Sequence, residues 1–212
     1  ANGARVVLTL DNDVQFFVQQ AVAQAKAKSG AKSVQAVVLD SKTGQVLAMG
    51  VDNTFNPSHG MNNQPDSART GNLAVTTPFE PGSVNKLITA VAAIDGGKTK
   101  PDEVLQVPGQ IRMAGVTVKD AWEHGVEPYT TAGIFSKSSN VGTLMLAKRV
   151  GEQRFADMVK RFGLGQRTDV GLPAESGGAV PALSQWSGGS FANLPIGQGL
   201  SMSLLQMTAM YQ

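Results

Sequence analysis

The sequence predicts a mixed α+β fold, helices flanking a central antiparallel sheet, on the strength of three stretches. Residues 33–39 and 45–49 are short strand-like runs joined by Asp40-Ser41-Lys42-Thr43-Gly44, which has the composition of a hairpin turn. Leu87, Ile88, Ala90, Val91, Ala92, Ala93 and Ile94 make a helix that is apolar nearly all round, as a buried central helix is. Further on, residues 141–150 and 151–162 carry apolar side chains at helical spacing, with glycines at the breaks.

Taken in order, Arg5-Val6-Val7-Leu8-Thr9-Leu10 reads as a short strand, and Asp11 opens a helix through Val14, Phe17, Val18, Ala21, Val22 and Ala25 that Ser29-Gly30 ends. The hairpin follows. Residues 52–77 are rich in Asn, Pro, Ser and Gly with little periodicity and read as a long loop. Pro81 has the fixed φ of a first helical turn, and the apolar helix after it runs to Gly96-Gly97. Residues 98–127 are short strands and turns, among them 103–107 and 112–118. A helix starts at Thr130 and ends near Lys137; Ser138-Ser139-Asn140 links it to the helix of Val141, Leu144, Met145, Ala147 and Val150. Gly163-Leu164-Gly165 closes helix 151–162, and 168–186 is loop again. Ile196-Gly197-Gln198-Gly199 leads into a last helix from Ser203 that is still running at Gln212, and Met202, Met207 and Met210 read as core packing.

The 212 residues, 42% hydrophobic and 16% charged, suffice for one large domain. A net charge of +2 without any Lys/Arg cluster gives no nucleic-acid partner. The absence of cysteine excludes disulfides, thiolate metal sites and cysteine nucleophiles. No apolar run reaches the length of a membrane span, and Ala1-Asn2-Gly3-Ala4 has no signal-peptide pattern. The only histidines, His59 and His124, lie in unrelated contexts, so a histidine-assisted triad is not expected, nor is there a G-x-S-x-G. No metal or cofactor is expected.

The chemistry concentrates in Phe79-Glu80-Pro81-Gly82-Ser83-Val84-Asn85-Lys86. Ser83 falls in the first turn of the apolar helix, and Lys86, three residues later, shares its face. A serine needs an adjacent base, and a lysine serves as one only when desolvation or a neighbouring cation lowers its pKa. The positive end of a buried helix also favours the oxyanion that forms on an attacked carbonyl. S-x-x-K alone is a weak signal: Ser29-Gly30-Ala31-Lys32 repeats it in a small polar loop. The flanking residues add what the spacing lacks. Ser138-Ser139-Asn140 reads by itself as an N-cap, and as a site motif once Ser83 and Lys86 are set beside it.

These motifs, with Asp120-Ala121-Trp122-Glu123-His124-Gly125 and Ile196-Gly197-Gln198-Gly199-Leu200-Ser201-Met202, resemble the transpeptidase domain of class B penicillin-binding proteins, closest to their actinobacterial, division-associated branch. The resemblance runs from Val6 to Gln212. It implies the penicillin-binding protein/serine β-lactamase-like fold, with residues 1–212 as the N-terminal and helical part of a single transpeptidase domain, truncated or cleaved before a third motif. That motif, Lys-Ser/Thr-Gly on a later strand, is not found after Ser203; Lys42-Thr43-Gly44 spells it but lies in the hairpin turn and is read as turn chemistry. The C-terminal part of the fold is thus expected to be missing, the remainder being a second chain or a lost segment, and this chain alone to be inactive. Ala1 is read as an internal boundary of a longer protein.

The resemblance further implies a peptidoglycan D,D-transpeptidase of cell-wall synthesis, division and shape. Ser83 is then the nucleophile, Lys86 an uncharged base and Ser138 a proton relay, while Asn140 bonds the substrate amide and steadies Lys86; Ser83, Ser138 and Asn140 contact substrate. Stem peptides and their lipid-linked precursors, β-lactams and divisome proteins are the implied partners. The implied location is the outer face of the bacterial cytoplasmic membrane, held by an N-terminal helix not in this chain. Two alternatives stay open. One is a serine β-lactamase or D,D-carboxypeptidase, for which Glu175 in Gly171-Leu172-Pro173-Ala174-Glu175-Ser176 is the only suggestive carboxylate. The other is a non-catalytic β-lactam-binding module or sensor.

Overall fold

The computed structural model describes residues 3–52, 54–60 and 71–212, and these divide into two compact units. The first comprises Ala1–Pro78, Arg167–Gly177 and Ser203–Gln212. Its frame is the expected hairpin: β1 (Gln35–Leu39) pairs antiparallel with β2 (Val46–Val51), Gln35 opposite Val51 and Val37 opposite Met49. Asp40 organises the turn. Its Oδ1 accepts from the Lys42 amide at 2.9 Å and from the amide and hydroxyl of Thr43 at 2.7 and 2.9 Å, and Gly44 closes the turn at φ 74°. The bonds from Thr43 and Lys42 hold the Asp40 carboxyl below its ordinary pKa. Lys42-Thr43-Gly44 is thereby turn scaffolding, as its sequence context implies.

Helix α1 (Asn12–Ser29) begins where Asp11 accepts from the amides of Asp13 and Val14, both at 3.0 Å, and ends on Gly30 at φ 62°. Gln15 of α1 exchanges two hydrogen bonds with the backbone of Met49, at 3.1 and 2.8 Å. A side chain at Gly50 would meet Val18 at 2.7 Å, so the glycine is what lets α1 lie this close to β2. Short α2 (Leu73–Thr76) and α8 (Leu204–Tyr211) also pack on the hairpin, α8 starting from a reciprocal cap between Ser203 and Gln206. Residues 53 and 61–70 of the expected loop lie outside the described residues. Residues 5–10 do not form the expected strand: Val6, Val7 and Leu8 are exposed, and the Asp11 amide makes one bond to Leu47 O where a ladder would need a row of them. The last helix runs to Tyr211, the penultimate residue of the sequence.

The second unit comprises Phe79–Gln166 and Gly178–Met202. Its core is α3 (Lys86–Asp95) packed on α5 (Asn140–Val150) and α6 (Glu152–Arg161), and Ile88, Ala92, Ile134, Val141, Leu144, Leu146 and Phe155 are among the unit's buried side chains. Gly142 lets α5 lie close against Ile134 of the helix Thr131–Ser136, since a Cβ there would fall 2.7 Å from that side chain. Strand β3 (Val104–Val107) pairs with β6 (Glu127–Thr130), and β4 (Gln110–Met113) with β5 (Val116–Lys119) across a tight turn in which Ala114 and Gly115 both have positive φ. Thr130 caps α4 (Thr131–Ser136), and α7 (Ser190–Asn193) continues into a 3₁₀ turn, Leu194–Ile196. The mixed class and its antiparallel pairing match the expectation. Among the described residues the strands form three two-stranded ladders, of which β1–β2 is the sheet read from the sequence.

Candidate active site

Ser83 lies in a 3₁₀ turn, Gly82–Asn85, that runs directly into α3, rather than within the α-helix itself. Three residues per turn place Ser83 and Lys86 in line, and the Lys86 amide donates to Ser83 O. The turn is pinned to the 194–197 segment. Gly82 donates its amide to Gly197 O at 3.0 Å, fully buried Asn85 donates Nδ2 to Leu194 O at 2.9 Å, and the Thr89 hydroxyl donates to Pro195 O at 3.1 Å. Gly197, at φ 85°, carries its backbone so close that a Cβ would stand 1.8 Å from Gly82 O. Just upstream, Phe79 pairs with Met202 through two backbone bonds, and Glu80 Oε1 accepts from the Gly199 amide at 2.9 Å.

Lys86 is 3% exposed, and its amine donates to three oxygens: Ser138 O at 2.6 Å, Asn140 Oδ1 at 2.7 Å and Ser138 Oγ at 3.0 Å. Burial lowers its pKa from 10.5 to about 8, and the Asp120 carboxylate pulls the other way. Burial thus moves the amine toward the uncharged form that the resemblance implies, and the field of Asp120 opposes part of that shift. Ser83 is exposed, and its hydroxyl makes no hydrogen bond to Lys86.

Ser138, Ser139 and Asn140 divide two tasks by alternation. Ser139, fully buried, caps α5 by accepting from the Gly142 amide at 2.8 Å. Its neighbours Ser138 and Asn140 both reach Lys86. Ser138 adopts φ 56°, a left-handed conformation uncommon for a residue with a Cβ. The cap and the site motif are therefore both present in one turn. Of the four residues picked out in the sequence, Lys86, Ser138 and Asn140 are joined directly, and Ser83 stands one 3₁₀ turn away.

Sequence reasoning passed over Asp120. This buried carboxylate accepts from the Ser139 hydroxyl at 2.8 Å and the Val141 amide at 3.0 Å, and its Oδ2 lies 3.0 Å from His124 Nε2. His124 thus engages Asp120 and not a nucleophile. Asn85 and Gly197 were also missed as supports, although each lies inside a stretch that carries the resemblance. Glu175 is buried, and its Oε1 accepts from the amide and hydroxyl of Thr168 at 2.6 and 2.5 Å, holding its own loop. Among the described residues no three His, Cys, Asp or Glu side chains gather as a metal site, and no helix is long and apolar enough to cross a membrane.

An S-x-x-K turn at the head of a buried helix, with its lysine held by an S-x-N turn, is the pattern carried by proteins of the penicillin-binding type. The chain matches the family described as the penicillin binding protein transpeptidase domain over residues 34–212, and it belongs to that family. It is 68% identical over 211 residues to penicillin-binding protein PbpB of Mycobacterium tuberculosis, covering 100% of this chain and 31% of that protein. It is 33% identical over 207 residues to the peptidoglycan D,D-transpeptidase FtsI of Escherichia coli, covering 97% of this chain and 34% of that one. The crystal structure of penicillin binding protein 3 of M. tuberculosis complexed with ampicillin superimposes with a TM-score of 0.95 at 68% identity, over 97% of this chain and 45% of that chain. The chain spans about a third of the length of the curated relatives it matches. The penicillin-binding transpeptidase resemblance read from the motifs agrees with these matches.

Proposed function

We propose that the protein carrying this chain is a peptidoglycan D,D-transpeptidase and a target of β-lactams. The observation that carries the reading is the Lys86 amine, buried and held by Ser138 and Asn140 one turn from Ser83. Ser83 Oγ attacks the carbonyl carbon of the penultimate D-alanine of a stem peptide while Lys86, in its deprotonated form, takes the hydroxyl proton. The C–N bond breaks, Ser138 passes a proton to the departing D-alanine amine, and an acyl-enzyme ester remains. The amine of a neighbouring stem attacks that ester, forming the cross-link and returning Ser83 to its hydroxyl. Asn140 keeps Lys86 in place and hydrogen-bonds the substrate amide. The Ser83 amide, at the positive end of α3, supplies one donor to the oxyanion, and in this reading a Lys-Ser/Thr-Gly strand outside residues 1–212 supplies the other and completes the single domain.

The relatives named as a peptidoglycan D,D-transpeptidase and as an ampicillin complex support this reading. Stem peptides with their lipid-linked precursors, division proteins as partners, and an anchored position on the outer face of the cytoplasmic membrane belong to the same proposal. A hydrolytic role would need a base that brings water to the ester. The engagement of Glu175 within its own loop weighs against that carboxylate as the base.

Denaturing mass spectrometry of the natural protein, before and after a fluorescent penicillin, tests the proposal. A lasting adduct on the peptide that contains Ser83, absent from Ser83→Ala, is expected. An adduct that disappears within minutes would instead mean a β-lactamase or carboxypeptidase, and labelling of Ser83→Ala would remove Ser83 from the mechanism.

A further inference from the structure

We infer that a cavity between α6 and the 178–186 loop is a second binding site, one that takes a small aromatic anion and whose occupancy is felt at Ser83, on the reading of Ser83 as the nucleophile. The cavity holds about 460 Å³, the size of a small-molecule site. Val159 of α6, Leu164, Leu194 and Leu200 form its apolar floor, and all four are buried. The loop side is held in shape. Ala179 exchanges two backbone bonds with Ser201, at 2.9 and 2.8 Å, and the Ala182 amide donates to Gln185 Oε1 at 3.0 Å. Trp186, which lines the cavity, donates Nε1 to Pro181 O at 3.1 Å and stacks on Phe191 with the ring centroids 5.9 Å apart. An aromatic wall fixed in this way loses little freedom when a ring packs against it.

The charge at the rim selects the ligand. Among the described residues, Asp157 and Lys160 are the only charged side chains that line the cavity, and both are exposed. Asp157 Oδ1 already accepts from Gln153 Nε2 at 2.9 Å, one turn away on α6. Lys160 has no ion-pair partner among the described residues, and neighbouring Arg161 pairs with Asp95. A ring that packs on Trp186 and the leucines therefore gains from a carboxylate or sulfonate placed at Lys160. The same floor reaches the catalytic turn. Leu194 lines the cavity while its carbonyl accepts from Asn85 Nδ2 and from the Gly197 amide. Leu200 lines it one residue after Gly199, whose amide donates to Glu80. A ligand seated on these two leucines bears on the segment that fixes Gly82 and Asn85, on either side of Ser83, and a small displacement of a reacting group is read in its rate.

Calorimetric titration of 1-naphthoate into the natural protein and its variants tests binding, and the rate of acylation by a fluorescent penicillin at saturating naphthoate tests the coupling. Naphthoate should bind Ser83→Ala as it binds wild type, which separates this site from the chemistry of the nucleophile. Lys160→Gln, at an exposed position, should weaken naphthoate by about two- to fivefold and leave neutral 1-naphthamide unchanged. Ala156 lines the cavity from α6, so Ala156→Phe puts a ring into it and should lose both probes. In wild type, saturating naphthoate should slow acylation by about threefold or more; in Ala156→Phe it should have no effect. Absence of binding, equal binding by folded Ala156→Phe, or equal affinity of naphthoate for Lys160→Gln and wild type would each overturn the inference, as would binding that leaves the acylation rate unchanged. If Ala156→Phe fails to fold, Lys160→Gln decides. Labelling of Ser83→Ala by the penicillin would instead sink the reading of Ser83 as nucleophile, and the binding results would stand apart from it.

Discussion

Replacing Gly197 by alanine would set a methyl carbon 1.8 Å from Gly82 O, 2.5 Å from its carbonyl carbon and 2.8 Å from its Cα. All three are backbone atoms of the residue before Ser83, so no rotamer change relieves the contact. The left-handed φ of 85° adds strain of about 1–2 kcal/mol, and overpacking of this kind costs about 1–3 kcal/mol. Gly199 is the internal control. It has nearly the same φ, 77°, but the nearest atom to its Cβ position is Leu194 Cδ2 at 3.9 Å, so Gly199→Ala bears the strain without the clash. The two variants should thus differ by about 1–3 kcal/mol, which for a chain of this size is about 2–12 °C in melting temperature. Thermal unfolding and penicillin labelling together read the outcome. Should Gly197→Ala avoid the thermal loss by pushing the Gly82 carbonyl aside, the displacement of Ser83 should slow labelling by about a hundredfold. Identical melting and identical labelling of the two variants would refute the claim that the 194–197 segment sets the position of the nucleophile.

Acylation by β-lactams should rise with pH through a midpoint near the Lys86 pKa of about 8, and a rate flat from pH 6 to 10 would count against Lys86 as the base. The same shift acts on stability: the folded pKa lies below the unfolded 10.5, so unfolding takes up a proton between these values, and the lysine's contribution rises with pH from about 8 to 10.5 and is lost on the way back down. Chemical denaturation at pH 7.5 and pH 10, with Lys86→Met as reference, measures that difference. Asn85→Ala should cost about 1–3 kcal/mol by leaving the buried Leu194 carbonyl without its donor, and urea titration shows whether it does. Glu175→Gln should loosen the 168–175 loop at a cost of about 1.5–3 kcal/mol while leaving the lifetime of the penicilloyl adduct unchanged; a changed lifetime would reopen the hydrolytic reading.

Local chemistry determined a large part of this protein. The periodicity of α1, α5 and α6, the glycines at 30, 44, 97 and 163 that take positive φ, and the Asp40 turn all follow from interactions within a few residues of one another. So does the pairing of Ser83 with Lys86, because a separation of three is one turn of helix. Strand β6 and helix α7 were illegible for the converse reason. Glu127-Pro128-Tyr129-Thr130 carries a proline inside four residues and is a strand only because β3 offers it a partner, and 190–196 is interrupted by Pro195. Residues 5–10 have the composition of a strand, but a ladder needs a second backbone.

Within the candidate site, the motifs named the side chains, and the tertiary structure set their surroundings. Whether Lys86 is charged depends on how much water α5 excludes and on a carboxylate thirty-four positions away in sequence, Asp120. Whether Ser138-Ser139-Asn140 is a cap or part of a site depends on which of its side chains meets Asp120 and which meets Lys86. Hydroxyl and amide groups look alike in a sequence. Burial and the electric field at one point are sums over the whole fold, and so they take their values only when the chain has closed around that point.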